Sequence, residues 1–219
     1  MMLKFALTLC AALLLSGPAR AQDAATASPA ANDVTVPLNN TAGIGAPAPA
    51  FTATDSNGKT VSLSDYAGKI VVLEWTNHQC PYVRKMYDTG TMQQWQKDAA
   101  AKGIVWLMVQ SGAKGKQGYV DGEGANKILA NENAAPAAYL LDPDGALGRL
   151  YSAQVSPHMF IIDQNGTLVY NGAIDDQPSV NHSTVKTANN YVKAALADLE
   201  AGEPVKIATS KPYGCAVKY

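Results

Sequence analysis

The sequence predicts an α/β layer fold built on a mixed central sheet flanked by helices, with an N-terminal β-hairpin. Three observations carry this. "KIVVLEW" and "IVWLMVQ" are continuous apolar runs of strand length, the kind of strand that a sheet core covers on both faces. Strand-like runs alternate along the chain with stretches of helical periodicity, which describes layered α/β architecture. Asn57-Gly58 and Asn165-Gly166 sit between strand-like segments near the two ends of the pattern, and Asn-Gly is a strong hairpin signal.

The elements follow in order. "FTATDSNGKTVSL" reads as two short strands around Asn57-Gly58, and "KIVVLEW" as the first buried strand. After Cys80, the spacing of Val83, Met86, Tyr87 and Trp95 fits a helix that Gly90 kinks or breaks. "IVWLMVQ" is the second buried strand. The loop "SGAKGKQGYVDGEG" lacks the GxxxxGK[ST] order of a phosphate cradle and reads as a mobile surface loop. A short helix around Ala125 to Asn131, a strand at "AAYLLD" and a helix around Ala146 to Ser152 come next. "SPHMFIIDQNGTLVYNG" reads as a hairpin, "STVKTANNYVKAALADLEAG" as a helix ending at Gly202, and "KPYGCAVKY" as a tail.

Upstream of this pattern, residues 1–21 carry one Lys, an apolar run from Phe5 to Leu15 and a small-x-small end at Ala19-Arg20-Ala21, the pattern of a cleaved secretory signal. Leu9 precedes Cys10 where lipid attachment favours a small residue, so lipidation is not expected. Residues 22–42 are rich in Ala, Ser, Asn and Thr without periodicity and read as a flexible linker; the domain then runs from 43 to 219. No stretch reaches the roughly 20 apolar residues of a membrane span. Cleavage would remove Lys4 and Arg20 from 17 basic residues, leaving 15 against 18 acidic ones. That balance argues against nucleic acid as a partner. It would also leave two cysteines, Cys80 and Cys215, in an oxidising periplasmic or extracellular compartment, where a pair can bridge.

"IGAPAPAFTATDSNGKTVSLSDYAGKIVVLEW", "NHQCPYV" and "SPHMFIID" together resemble the alkyl hydroperoxide reductase and thiol-specific antioxidant family, the redoxins, in its peroxiredoxin-like branch. The resemblance runs from about Gly43 to Tyr219 and implies a thioredoxin-like fold and a thiol-dependent oxidoreductase with a nucleophilic Cys80. Local chemistry supports that role. A cysteine at the first turn after a strand meets unpaired backbone N–H groups and the positive end of a helix dipole, and both favour thiolate. Pro81 suits that turn because it needs no N–H there.

By the same resemblance Glu74, six residues before Cys80, corresponds to a buried acid that relays protons, and Pro157 to a cis-proline facing the nucleophile. Ser156 would then offer backbone groups to an extended thiol substrate. The chain also departs from the family. Val83 stands where a CxxC pair has its second cysteine, and Leu73 and Asn77 stand where peroxiredoxins carry Pro and Thr. The arginine that polarises peroxide is missing near Pro157, leaving Arg84 or Arg149 as substitutes.

His78, two residues before Cys80, and His158, just after Pro157, complete the candidate set. With Asn77, Ser156 and Arg84 they are expected to line the substrate site. The rival function is a copper carrier in which His78, Cys80 and His158 bind the metal without turnover. His182 has no motif and reads as surface. Cys215 is either a resolving thiol that attacks an oxidised Cys80 or a static staple. The expected reaction needs no cofactor. Its expected partners are a small peroxide or protein disulfide and an external thiol reductant.

Overall fold

The computed structural model describes residues 43–219. The signal and linker expected over 1–42 lie outside the described residues. The main sheet has seven strands. Thr52–Asp55 (β1) and Thr60–Ser62 (β2) form the first hairpin, followed by Val71–Trp75 (β3), Val105–Gln110 (β4) and Ala138–Leu141 (β5). Val155–Ser156 forms a short strand, β6, and His158–Ile162 (β7) and Leu168–Gly172 (β8) form the second hairpin. The strand order is β2-β1-β5-β4-β3-β7-β8. β4 runs parallel to β3 and β5, while β7 is antiparallel to β3, so the sheet is mixed.

Every residue of β3, β4, β5 and β7 is buried, which is why these stretches read as unbroken apolar runs. Alternation divides their side chains between two cores. Val72, Trp106, Met108, Met159 and Ile161 meet helix residues including Val83, Met86, Met92 and Val192 on one face. Leu73, Trp75, Leu107, Phe160 and Ile162 meet Phe51, Leu147, Leu150 and Tyr151 on the other. Full burial of such side chains contributes about 1.5–3 kcal/mol each.

Helices follow at Pro81–Asp88 (α1), Thr91–Ala101 (α2), Gly122–Glu132 (α3) and Ala146–Leu150 (α4). The break between α1 and α2 falls at Gly90, whose φ of 71° is left-handed backbone that glycine adopts without a Cβ penalty. The last helix, α5, spans only Tyr191–Glu200, not the whole stretch from Ser183. Asn190 caps it by accepting from the Lys193 N–H at 2.6 Å, and Asn181 caps a separate short turn over His182–Lys186. The asparagines compete with the helix for its own backbone, and two caps replace one long helix.

The tail also departs from expectation. Cys215–Ala216 forms β9, paired antiparallel with β6. Among the described residues no helix is long and apolar enough to cross a membrane.

Candidate active site

Cys80 stands at the N-cap of α1, with Pro81 as the first helical residue. The turn that leads into it is fixed locally. Asn77 accepts from the Gln79 N–H through Oδ1 and from the Cys80 N–H through its carbonyl, both at 2.9 Å. Cys80 is fully buried, and its Sγ lies 3.1 Å from the Ser156 carbonyl oxygen. The Ser156–Pro157 peptide bond is cis, as the sequence led us to expect.

Cys80 is bonded to Cys215, with the two Cα atoms 5.9 Å apart, inside the usual disulfide range. In the β6–β9 register Ser156 lies opposite Cys215. At Gly214 (φ 149°) a Cβ would run into the Ser156 carbonyl, so only glycine lets the tail approach this closely.

The tail is fastened along its length, not swinging free. The Val217 N–H donates to the Gln154 carbonyl at 2.9 Å, and the Tyr219 hydroxyl to the Ala153 carbonyl at 2.6 Å. The Ala113 N–H donates to the Lys218 carbonyl at 2.8 Å. The loop after β4, expected to be a mobile surface excursion, is likewise tied down. Its Gly118 N–H donates to Gln79 Oε1 at 3.1 Å, its Gly118 carbonyl accepts from Gln110 at 3.0 Å, and it lies directly over Asn77.

Lys85, Asp175 and Tyr213 form a cluster that sequence reasoning missed. Lys85 Nζ lies 3.6 Å from Asp175 Oδ2 with both side chains buried, and it donates to the Gln177 carbonyl at 3.0 Å and to the Tyr213 hydroxyl at 3.2 Å. Tyr213 donates in turn to Asp175. Burial pushes the Lys85 ammonium below its ordinary pKa, and Asp175 opposes that shift. Lys85 lies on the side of α1 away from Val83, Met86 and Tyr87. A lysine there ordinarily faces water, so only its distant partners reveal the burial.

Glu74 is fully buried on the same sheet face as Cys80. It accepts from the Tyr87 hydroxyl and Trp106 Nε1, both at 2.8 Å, and from Gln96 at 3.3 Å. Burial raises its pKa, and these donors pull it back down. His78 is half-buried beside Arg84, Glu132 and Tyr139. Its Nδ1 has no hydrogen-bond partner, and burial followed by the Arg84 charge lowers its pKa. Arg84 pairs with Glu132 and Asp88.

His158 does not join Cys80 and His78. Strand alternation turns its ring to the opposite sheet face, where it packs 4.5 Å from Phe160. Its Nε2 bonds Asn171 Oδ1 at 2.8 Å, and its Nδ1 accepts from the Gln154 N–H at 3.3 Å. With both ring nitrogens engaged, His158 is neither a substrate contact nor a ligand beside Cys80, and the copper set does not assemble. Among the described residues no cluster of three or more His, Cys, Asp or Glu side chains could hold a metal ion.

A thioredoxin-like mixed sheet, a helix-capping cysteine beside a cis Ser156–Pro157 bond and a disulfide from that cysteine to Cys215 define a redoxin fold. Residues 44–171 match the AhpC/TSA family, and the chain belongs to that family. The matched span ends before Cys215.

Solved structures that resemble most of the chain include the following two. An uncharacterized conserved protein from Geobacillus kaustophilus is 23% identical, with a TM-score of 0.69 over 87% of this chain and 98% of that one. A hypothetical protein from Sinorhizobium meliloti is 20% identical, with a TM-score of 0.69 over 82% and 96%. A secreted Mycobacterium tuberculosis disulfide oxidoreductase is 19% identical, with a TM-score of 0.43 over 54% of this chain and 79% of that one. No curated protein matches the sequence.

Proposed function

We propose that the chain catalyses thiol–disulfide exchange, with Cys80 as nucleophile and Cys215 as resolving thiol. The observation that carries this reading is the disulfide joining the α1 N-cap to the tail strand opposite Ser156. In the reducing direction the Cys80 thiolate attacks one sulfur of a substrate disulfide and expels the other as a thiolate. Cys215 then attacks Cys80, closes the resident bond and frees the second substrate thiol. Two electrons pass from the enzyme dithiol to the substrate. An external thiol restores the dithiol, and the sulfurs carry the whole reaction.

Other groups have supporting roles. The α1 N-terminus stabilises the Cys80 thiolate, and Asn77 holds the turn that presents it. Ser156 and Pro157 shape the backbone edge beside it, and Glu74 exchanges protons beneath α1. Arg84 is already neutralised by two carboxylates, which favours disulfide over peroxide as the oxidant. The reading includes export, supported by the leader pattern in residues 1–21 and by a disulfide, a bond that persists in oxidising compartments.

The test is mass spectrometry of reduced protein exposed to glutathione disulfide or to hydrogen peroxide, with and without Cys215→Ser. Closure of Cys80–Cys215 in the parent, and a glutathione adduct on Cys80 in the variant, are expected. Faster reaction with peroxide would make the protein a peroxidase. Inertness of Cys80 toward both would end the proposal.

A further inference from the structure

The tail lies in the site as a bound peptide would, and three successive residues are each read by a different feature. Cys215 is bonded to Cys80 and paired with Ser156 through β9 and β6. Gly214 passes so close to the Ser156 carbonyl that any Cβ would collide with it. Tyr213 fills a socket made by Tyr82 and Lys85 of α1 and by Asp175 beyond β8. The Tyr82 ring meets it edge-on at 5.6 Å, and the Lys85 ammonium sits 5.3 Å from its ring centroid. Its hydroxyl donates to Asp175 and accepts from Lys85 at 3.2 Å.

A buried Lys–Asp pair is poor evidence for stability, because apolar side chains of similar volume fill such space at no net cost. What this pair provides is one acceptor and one donor aimed at a phenol. We infer that the groove formed by the Ser156 edge and this socket is a recognition site for extended polypeptides carrying Tyr-Gly-Cys, and that Tyr213–Cys215 is its resident occupant. The inference rests on the nucleophilic role of Cys80 and names the substrate class of that site. A small disulfide meets the sulfur alone, whereas a polypeptide with tyrosine two residues and glycine one residue before its cysteine meets all three features.

The exchange is balanced without another reactant. The Cys80 thiolate attacks the cysteine sulfur of the bound polypeptide's disulfide, and the Cys80–polypeptide bond forms as the far sulfur leaves as a thiolate. Cys215 then displaces the polypeptide thiolate from Cys80 and returns to its place.

The test uses the full-length Tyr213→Ala, Cys215→Ser double variant, whose Cys80 is free and whose socket is empty. The probe is the peptide Lys-Pro-Tyr-Gly-Cys-Ala-Val with its cysteine held as a mixed disulfide with thionitrobenzoate, so that capture by Cys80 releases the coloured thiolate. Alanine in place of the peptide's tyrosine should slow capture roughly tenfold, the loss expected when a hydrogen bond to a charged group disappears. Valine in place of its glycine should slow it at least as much.

The Cys215→Ser variant alone, with the tail contacts intact, should rank the peptides in the same order at lower rates, and it serves if the double variant fails to fold. Equal rates for all three peptides, in protein that still reacts with the symmetric thionitrobenzoate disulfide, would overturn the recognition site while leaving the oxidoreductase reading intact. A Cys80 inert toward that reagent as well overturns both.

Discussion

Cys80 Sγ lies 3.1 Å from the carbonyl oxygen of Ser156, 76 residues away in the sequence. The contact brings the helix cap and the edge of β6 together, and the tail strand closes over both. Cys80 is therefore fully covered in the oxidised protein while Cys215 is only half-buried. An incoming thiol reaches Cys215 first, and the thiolate it displaces is the one at the α1 N-terminus, the better leaving group. Limiting glutathione, quenched with acid during reduction, should leave its mixed disulfide on Cys215. Peptide mapping that finds the adduct on Cys80 would reverse this assignment.

Glu74 offers a second check. Replacing it with Gln keeps its shape and removes its titration. Reduction of the Cys80–Cys215 bond should slow roughly tenfold or more if the carboxyl exchanges protons with the site, and the pH–rate profile should lose a limb. The thermal midpoint should change little, because Gln fills the same space and keeps an oxygen that accepts from the same donors. An unchanged profile would leave Glu74 as a packing residue.

His158 gives the fold an acid weakness. Burial lowers its pKa from 6.5 to about 4, against a partly compensating bond to Asn171. Between those values the unfolded chain binds a proton that the native chain refuses, so stability falls as pH drops through that window. The full effect is about 3 kcal/mol. In His158→Gln, urea midpoints measured from pH 7 to pH 4 should decline less steeply than in the parent. Parallel slopes would mean that other groups govern acid sensitivity.

Lys85→Ala strands Asp175 in the core and takes a donor from Tyr213. The loss should be about 3–5 kcal/mol by urea denaturation, as for other buried pairs broken from one side. Lys85→Met combined with Asp175→Leu should recover most of it. A loss no larger than that of a surface substitution would show that water reaches the cluster.

The parts of this molecule legible in the sequence are those written in consecutive residues. The apolar run of β3 marks a strand covered on both faces, Asn57-Gly58 marks a hairpin, and the strand-to-Pro81 junction marks the Cys80 cap. Strand alternation also places His158. His158, Phe160 and Ile162 share a face, so the histidine belonged with the aromatic core from the outset. What was not legible depends on distant partners. The tail strand has two residues and no periodicity of its own. Lys85 looks like a solvated helix cation because Asp175 and Tyr213, which bury it, lie 90 and 128 residues downstream.

The 135 residues that separate the bonded cysteines also have a meaning in time. At roughly 5–20 residues per second of synthesis, Cys80 leaves the ribosome on the order of ten seconds before Cys215 exists. Four of the seven strands of the main sheet, β4, β5, β7 and β8, are made in that interval. The nascent chain thus carries an unmatched thiol while the second half of the sheet is made, open to capture by any disulfide it meets. Arrival of Tyr213-Gly214-Cys215 ends that exposure, and maturation is complete only when the tail closes over its own site.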